Sequence, residues 1–198
     1  MKRLIVILDR DGVLIHNDKS MEYGPHYIMK ADQIKIKEGV IEGFSALKGL
    51  CPSATFVVIT KQNCIAKGLA ALAEVQLVNN YLEYLLPGIY DFRVYWGAED
   101  DVSASAAIIS SILYNFFVPM PGGIVDQESC STWIIDDSQS RLQAAKSFGI
   151  NTIYVSNPYC RDQIIWDYRG TDEPNVKWGD YIVKDFMSAV KIIADSLT

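Results

Sequence analysis

The stretch Leu4–Leu14, LIVILDRDGVL, decides how the rest of the chain is interpreted. Five apolar residues, Leu4–Leu8, are followed directly by Asp9 and then by Asp11 and Gly12. A short run that is apolar on both faces is typical of a strand buried in a parallel sheet. Asp and Gly are also ordinary turn residues, so this pair of acids alone predicts only a turn. A functional interpretation needs polar residues at the ends of neighbouring strands as well.

Length and charge limit the classes of function. The chain has 198 residues, of which 49% are hydrophobic, and this suits one domain of ordinary size over residues 1–198. Its formal net charge of −6 gives no basic footprint for nucleic acid or for an anionic membrane. A small, polar and phosphorylated ligand is compatible with this charge.

The cysteines and the N-terminal residues predict the compartment. The first apolar run stops at Asp9, which is too short for a signal peptide, and no later run reaches transmembrane length. The four cysteines are scattered, without a CxxC pair or a neighbouring His, so neither a zinc site nor a disulfide framework is indicated. We therefore expect a cytoplasmic protein. These cysteines are Cys51, Cys64, Cys130 and Cys160.

Apolar runs rich in β-branched residues alternate with helical patterns along the chain. This alternation predicts one α/β domain with a central parallel sheet covered on both faces. One helix is expected between Thr60 and Phe92, and residues 157–179 break the pattern as an irregular loop or a small hairpin. The predicted strands are Leu4–Leu8, Thr55–Ile59, Phe92–Trp96, Thr132–Ile135 and Thr152–Val155. The predicted helices are Glu38–Leu50, Ala70–Leu86, Ser103–Phe117 and Ser140–Gly149.

Polar side chains end two further predicted strands. Thr60 follows VVI, and Asp136 and Asp137 follow WII. Ligands of an open parallel sheet bind beyond the carboxyl ends of the strands, where the strand order reverses. If these strands are neighbours of the first, Asp9 and Asp11 meet the other polar groups there. Several carboxylates in one cleft repel one another unless a cation neutralises them, and oxygen ligands suit Mg²⁺.

Three segments resemble motifs of the haloacid dehalogenase (HAD) superfamily of phosphohydrolases. The segment LDRDGVL (8–14) resembles the first motif, VVIT (57–60) the second and WIIDDSQSRLQAAKSFGI (133–150) the fourth. The text VVITKQNCIAKG (57–68) is similar to the histidinol-phosphatase and heptose-bisphosphate phosphatase branch. The resemblance runs with gaps from about Ile5 to Val155. It implies a Rossmannoid three-layer sandwich in which residues 13–37 form a flap. The segment between Thr60 and Phe92 has room for only one helix and its loops, so we expect no independent cap domain.

This resemblance implies a reaction and its acidic residues. Asp9 would be the nucleophile that forms an aspartyl-phosphate and ligates Mg²⁺. Asp11 would protonate the leaving oxygen, activate water afterwards, and ligate the metal through its carbonyl. Asp137 would complete the magnesium shell, with Asp136, at a position where many relatives have Gly, as a further candidate. The expected substrate is a small phosphorylated metabolite such as a sugar phosphate.

The second motif implies the phosphate-binding group. Thr60 would hydrogen-bond the phosphoryl group, and Lys61 and Gln62 follow it directly. In-line phosphoryl transfer depends mainly on such positioning and on charge neutralisation.

Several family features are missing from the sequence. Relatives carry a lysine in a third motif, but the nearest text, VPMPGG, has Val118 at that position, and no Lys or Arg occurs between Arg93 and Arg141. The Cys/His zinc loop of the heptose branch is missing too. Arg141 stands where the fourth motif usually has a second acid, which we expect to weaken an outer support of the metal.

The missing lysine leaves three interpretations open. An active enzyme could take its cation from Lys61, and Lys61→Ala would then cost far more activity than Lys67→Ala. A degenerate relative would bind a phosphorylated ligand or partner without turnover. A receiver-like signalling domain is disfavoured, because receivers carry the phosphorylated Asp after the third strand and here Asp9 ends the first.

Overall fold

The computed structural model describes residues 3–17, 27–96, 102–116, 130–156 and 179–197. Within these residues, six parallel strands form one sheet in the order β3-β2-β1-β4-β5-β6. The strands are β1 (Arg3–Asp9), β2 (Thr55–Lys61), β3 (Ile89–Tyr95), β4 (Cys130–Asp136), β5 (Asn151–Val155) and β6 (Tyr181–Val183).

Strand β1 lies at the switch point of this sheet. Its neighbours are β2 on one side and β4 on the other, so the chain order runs outward in both directions from β1. Leu8 pairs with Val58 in β2 and with Ile135 in β4. Residues directly after these positions therefore come together at one edge of the sheet, where open parallel sheets bind ligands.

Helices cover both faces of the sheet, and the alternation of side chains in β1 sorts them. Leu4, Val6 and Leu8 lie in a cluster with residues of α1, α3 and α6. Ile5 and Ile7 lie in a second cluster with residues of α4 and α5. The result is the three-layer sandwich expected from the sequence. The helices are α1 (Val40–Leu50), α2 (Asn63–Ala66), α3 (Leu72–Leu85), α4 (Val102–Phe116), α5 (Gln139–Ser147) and α6 (Phe186–Leu197).

The five predicted strands and four predicted helices are confirmed as β1–β5 and as α1, α3, α4 and α5. The expectation of one helix between Thr60 and Phe92 was wrong, because the short helix α2 precedes α3. Strand β6 and helix α6 were not predicted. Gly43 lets α6 approach α1 closely, since a Cβ there would lie 2.8 Å from the Phe186 ring. No helix among the described residues is long and apolar enough to cross a membrane.

Part of the predicted flap, residues 13–37, is described. Ile15 forms an antiparallel bridge with Ile36, and the Lys37 amide donates to the Leu14 carbonyl at 3.0 Å. These bonds join the residues after β1 to the residues before α1. Residues 18–26 of the flap lie outside the described residues, as do 157–178 and the whole of VPMPGG.

Asp180 connects α5 and β5 to the residues before β6. Its carboxylate accepts bonds from the Thr152 amide at 2.9 Å and the Thr152 hydroxyl at 2.8 Å, and it pairs with Lys146 at 2.6 Å. Burial alone would raise the pKa of Asp180, but the hydrogen bonds from Lys146 and Thr152 outweigh it and lower that pKa. The ionised carboxylate therefore stabilises the folded chain.

We expect Asp180→Asn to lower Tm at neutral pH by about 2–4 °C, which corresponds to about 1 kcal/mol for a one-third-exposed pair. A lowered folded-state pKa contributes stability above the unfolded pKa of about 3.9, and this is lost as pH falls through the folded value. The difference in Tm between the variant and the wild type should therefore shrink below pH 4 in thermal melts.

The matched control is Asp185→Asn. The Asp185 carboxylate accepts a bond from the Ser188 amide at 2.8 Å at the start of α6, and Asn caps a helix about as well as Asp. A Tm difference for Asp180→Asn that does not depend on pH would contradict the assigned role of its charge.

Candidate active site

Asp9 ends β1 and is 3% exposed. One carboxylate oxygen accepts a bond from the Arg10 amide at 2.8 Å. The other oxygen accepts a bond from Nη2 of Arg141 at 2.6 Å. The side chain is therefore fixed from both sides, by the turn that follows its own strand and by helix α5.

Three carboxylates come together around this position. Asp9, Asp136 and Asp137 offer oxygen atoms that all lie within 4.8 Å of one another, and all three residues are buried. Sequence analysis expected these residues to meet because their strands are neighbours. The pairing of β1 with β4 confirms that adjacency. The carboxylates of Asp9 and Asp137 are close enough to share one ion.

The guanidinium of Arg141 lies within this carboxylate cluster. Its Nε and Nη2 donate to the two carboxylate oxygens of Asp136, and Nη2 lies 3.6 Å from Asp137. Burial would lower the pKa of Arg141, but Asp136 and Asp9 outweigh it and raise that pKa well above the usual value. Arg141 is therefore a permanent cation. Nη1 donates at 3.3 Å to the hydroxyl of Tyr95.

One guanidinium does not balance the three acids. Burial raises the pKa of Asp9 well above its usual value; Arg141 opposes this, while Asp136, Asp137 and Asp11 add to it. The three carboxylates and Arg141 have a formal charge of −2 when all are ionised. Oxygen donors at this spacing and an excess of two negative charges fit a divalent cation such as Mg²⁺.

Asp11 faces a different set of partners. Its carboxylate accepts bonds from the Thr60 hydroxyl at 3.1 Å and the Gln62 amide at 2.6 Å. Gln62 also donates to the Thr60 hydroxyl at 2.7 Å. The Cys64 thiol contacts the side-chain oxygen of Gln62 at 3.6 Å. The structure thus brings Asp11, Thr60 and Gln62 together.

Arg10 holds Asp11 from the other side, a contact that sequence analysis missed. Nε and Nη2 of Arg10 donate to the two oxygens of Asp11 at 3.1 and 3.0 Å. The Arg10 side chain is fully buried, and its Nη1 donates to Asn79 of α3 at 2.8 Å. A buried arginine is costly unless its donors are satisfied. Arg10 therefore ties Asp11 to α3.

Gly12 and Lys37 shape the turn after these acids. Gly12 has a φ of 90°, a conformation that favours glycine, and its carbonyl accepts a bond from the Lys37 ammonium at 2.6 Å. Burial lowers the pKa of Lys37, while Asp137 and Asp185 oppose this. Lys37 is thus a second cation near the carboxylates, and the sequence pattern did not single it out.

The two lysines considered from the sequence lie on and just after β2. Lys61 is the last residue of β2, is half-buried and pairs in register with Tyr95. The ammonium of Lys67 lies 5.1 Å from the centre of the Tyr27 ring. The role of Lys61 at the phosphoryl group stays a prediction.

The pairing of Arg141 with Asp136 is the clearest addition to the site expected from the sequence. Both residues were noted as departures, an Asp where relatives have Gly and an Arg where they have an acid. In the structure the two departures form one ion pair. The sequence contained a signal for this pair. Asp136 and Arg141 both differ from the family motif, they lie five residues apart after a strand, and they carry opposite charges, so they were candidates for an ion pair.

Solved structures with the same fold carry phosphatase names. D,D-heptose 1,7-bisphosphate phosphatase from B. bronchiseptica, complexed with magnesium and phosphate, has a TM-score of 0.71 at 17% identity and covers 99% of each chain. The corresponding phosphatase from Burkholderia thailandensis has a TM-score of 0.54 at 17% identity, covering 96% of this chain and 97% of its own.

A third structure, a HAD-like phosphatase from Mesorhizobium loti, has a TM-score of 0.64 at 13% identity, covering 99% of this chain and 88% of its own. No family model and no curated protein matches the sequence. At these identities the structural likeness concerns the fold. The chain therefore has the fold of the haloacid dehalogenase phosphatases.

Proposed function

We propose that the chain is a Mg²⁺-dependent phosphohydrolase that cleaves a small phosphorylated metabolite through an aspartyl-phosphate on Asp9. The observation that carries this proposal is the grouping of Asp9 with Asp136 and Asp137 at the switch point of the sheet. The likeness in fold to a phosphatase complexed with magnesium and phosphate supports it.

In the first step, an oxygen of Asp9 attacks phosphorus and the bond from phosphorus to the leaving oxygen breaks. Asp11 in its protonated form gives its proton to that oxygen. Of the side-chain groups that donate to Asp11, the Thr60 hydroxyl can also accept, so it is a suitable partner for the protonated form. Thr60 and Gln62, which donate to Asp11, are also proposed to bind phosphoryl oxygens.

In the second step, water attacks the phosphorus of the aspartyl-phosphate, and Asp11, now ionised, takes a proton from it. The bond between Asp9 and phosphorus breaks, which frees inorganic phosphate and regenerates the carboxylate of Asp9 and the protonated form of Asp11. The fork from Arg10 keeps Asp11 in place during both steps.

Asp9 and Asp137, with Asp136 beside them and the carbonyl of Asp11, are the groups proposed to hold Mg²⁺. When bound, Mg²⁺ neutralises charge on the transferring group and orients it. Without the cation, burial and the like charges around Asp9 oppose the ionised form that the attack requires.

The substrate is proposed to be a small phosphorylated metabolite such as a sugar phosphate. One domain over residues 1–198, with a flap at 13–37 and no independent cap, would leave the site open to soluble metabolites. Cys51, Cys64 and Cys130 are buried thiols, and buried thiols support a cytoplasmic setting.

A second function is favoured by one contact. Nη2 of Arg141 lies close to all three carboxylates, at 2.6, 2.7 and 3.6 Å, as a bound cation would. A degenerate relative could use this internal cation in place of a metal and bind a phosphorylated ligand without turnover. Metal binding distinguishes the two functions.

We expect Asp9→Asn to abolish hydrolysis in a screen of phosphorylated metabolites with Mg²⁺, since the amide cannot act as the nucleophile. The same variant should unfold at a Tm no lower than the wild type without metal. Burial and like charges raise the pKa of Asp9, so its ionised form destabilises the fold and a neutral side chain does not.

The matched control is Asp91→Asn, which makes the same change at an ion pair of β3 outside the carboxylate cluster. It should leave the rate unchanged. Full activity of Asp9→Asn would mean that the nucleophile is misassigned.

We expect Mg²⁺ to raise the Tm of the wild type and EDTA to reverse the rise. A ligand that binds only the folded state stabilises it by about 2.7 kcal/mol at a hundred times its Kd. Asp137→Asn should need at least about tenfold more Mg²⁺ for the same shift, because it removes one charged ligand. Scanning calorimetry across a magnesium series measures both effects. A Tm independent of Mg²⁺ in the wild type would favour the non-catalytic function.

A further inference from the structure

We propose that Arg141 is the catalytic cation of this site, supplying at the nucleophile the positive charge that relatives take from a lysine of the third motif. The inference rests on the proposed function, because it assigns a role within the same reaction. It uses a residue of the fourth motif whose usual counterpart is an acid.

The contact that carries the inference joins Nη2 of Arg141 to Oδ2 of Asp9 at 2.6 Å. Arg141 is 6% exposed and Asp9 is 3% exposed, so water screens this pair poorly. Within the part of the chain that the structure describes, Asp9 forms its ion pair with Arg141.

Asp136 fixes the direction of the guanidinium. Its two carboxylate oxygens accept bonds from Nε and Nη2, and the Tyr95 hydroxyl accepts one from Nη1. Asp136 comes from the end of β4, Arg141 from the first turn of α5 and Tyr95 from the end of β3. Because these elements are parts of the sandwich, the charge is already oriented before a substrate binds.

The chemistry requires a cation that keeps its proton. During attack, negative charge spreads over the phosphoryl oxygens while Asp9 uses one oxygen as the nucleophile. The guanidinium lies beside that carboxylate and forms no covalent bond in the step. Arginine remains protonated throughout, so the group stabilises charge without taking part in proton transfer.

One alternative gives Arg141 a purely structural role. Asp136 is fully buried, and a buried carboxylate needs a partner whether or not the site is active. The contact with Asp9 would then be incidental. The two roles differ in their predictions, because a structural partner affects stability whereas a cation at the nucleophile affects kcat and the binding of a phosphoryl mimic.

The experiment compares Arg141→Gln, Arg141→Lys, Lys61→Ala and Asp9→Asn with the wild type. The matched control is Arg93→Gln, which removes a guanidinium paired with Asp91 in β3, outside the catalytic groups. Four quantities are measured: Tm, kcat and KM for p-nitrophenyl phosphate with saturating Mg²⁺, and the affinity for beryllofluoride. Beryllofluoride bonds to an aspartate oxygen as a phosphoryl mimic and is followed by fluorine NMR.

We expect Arg141→Gln to lose about 100- to 1,000-fold in kcat with little change in KM, the scale for removing one preorganised charge. Its affinity for beryllofluoride should fall at least about tenfold. Arg141→Lys should recover about tenfold of the lost kcat, because charge returns without the planar fork. Arg93→Gln should match the wild type. If Arg141→Gln does not fold, the kcat of Arg141→Lys compared with that of the wild type tests the inference instead.

Two results would overturn this inference without refuting the proposed hydrolase. One is Arg141→Gln with wild-type kcat and beryllofluoride affinity while Asp9→Asn is inactive. The other is a large loss confined to Lys61→Ala, which would assign the charge to Lys61. A wild type without turnover, or an active Asp9→Asn, would instead refute the proposed hydrolase. If the wild type has no turnover but binds beryllofluoride, and Arg141→Gln loses that binding, the result would still support Arg141 as the cation at Asp9.

Discussion

The site depends on the repulsion between Asp9, Asp136 and Asp137, which are buried within 4.8 Å of one another. The topology imposes this arrangement, because β1 and β4 are neighbours and both end in acids. Burying like charges is unfavourable unless cations or hydrogen bonds compensate. Arg141 provides part of that compensation, and the remaining negative charge makes a divalent cation a natural occupant of the same cluster.

Because of this repulsion, the side chain that would be best for stability at position 9 differs from the one that the proposed reaction needs. A neutral side chain at position 9 would relieve the like charges, yet only an ionised carboxylate can attack phosphorus. Functional sites commonly carry such unfavourable groups, and the surrounding fold compensates for them. Here the compensation comes from the aliphatic layers on both faces of β1, where Leu4–Leu8 are completely buried. A large apolar core thus permits a small destabilised edge.

Sequence patterns were sufficient for the core of the fold and insufficient for the partners within the site. Buried runs and helical periods identified β1–β5 and four helices, because burial on both faces leaves a strong pattern. Strand β6 has three residues, of which two are exposed, and so carries almost no signal. The contacts of Arg10 with Asn79 and of Arg141 with Asp9 span 69 and 132 residues. No local pattern encodes such distances, although both arginines were visible in the motifs.

Asp9 and Asp11 are two residues apart, and their environments differ in a way that agrees with the different roles proposed for them. Asp9 lies among like charges and buried apolar strands, which suits a group that is to be neutralised by a cation and a phosphoryl. Asp11 lies among donors from Arg10, Thr60 and Gln62, which suits a group held in one orientation for proton transfer. Asp9 is the last residue of β1, whereas Asp11 lies beyond the end of the strand in the turn before Gly12, so the two carboxylates reach different partners. Unequal surroundings of two carboxyl groups are what permits one to act as nucleophile and the other as acid and base.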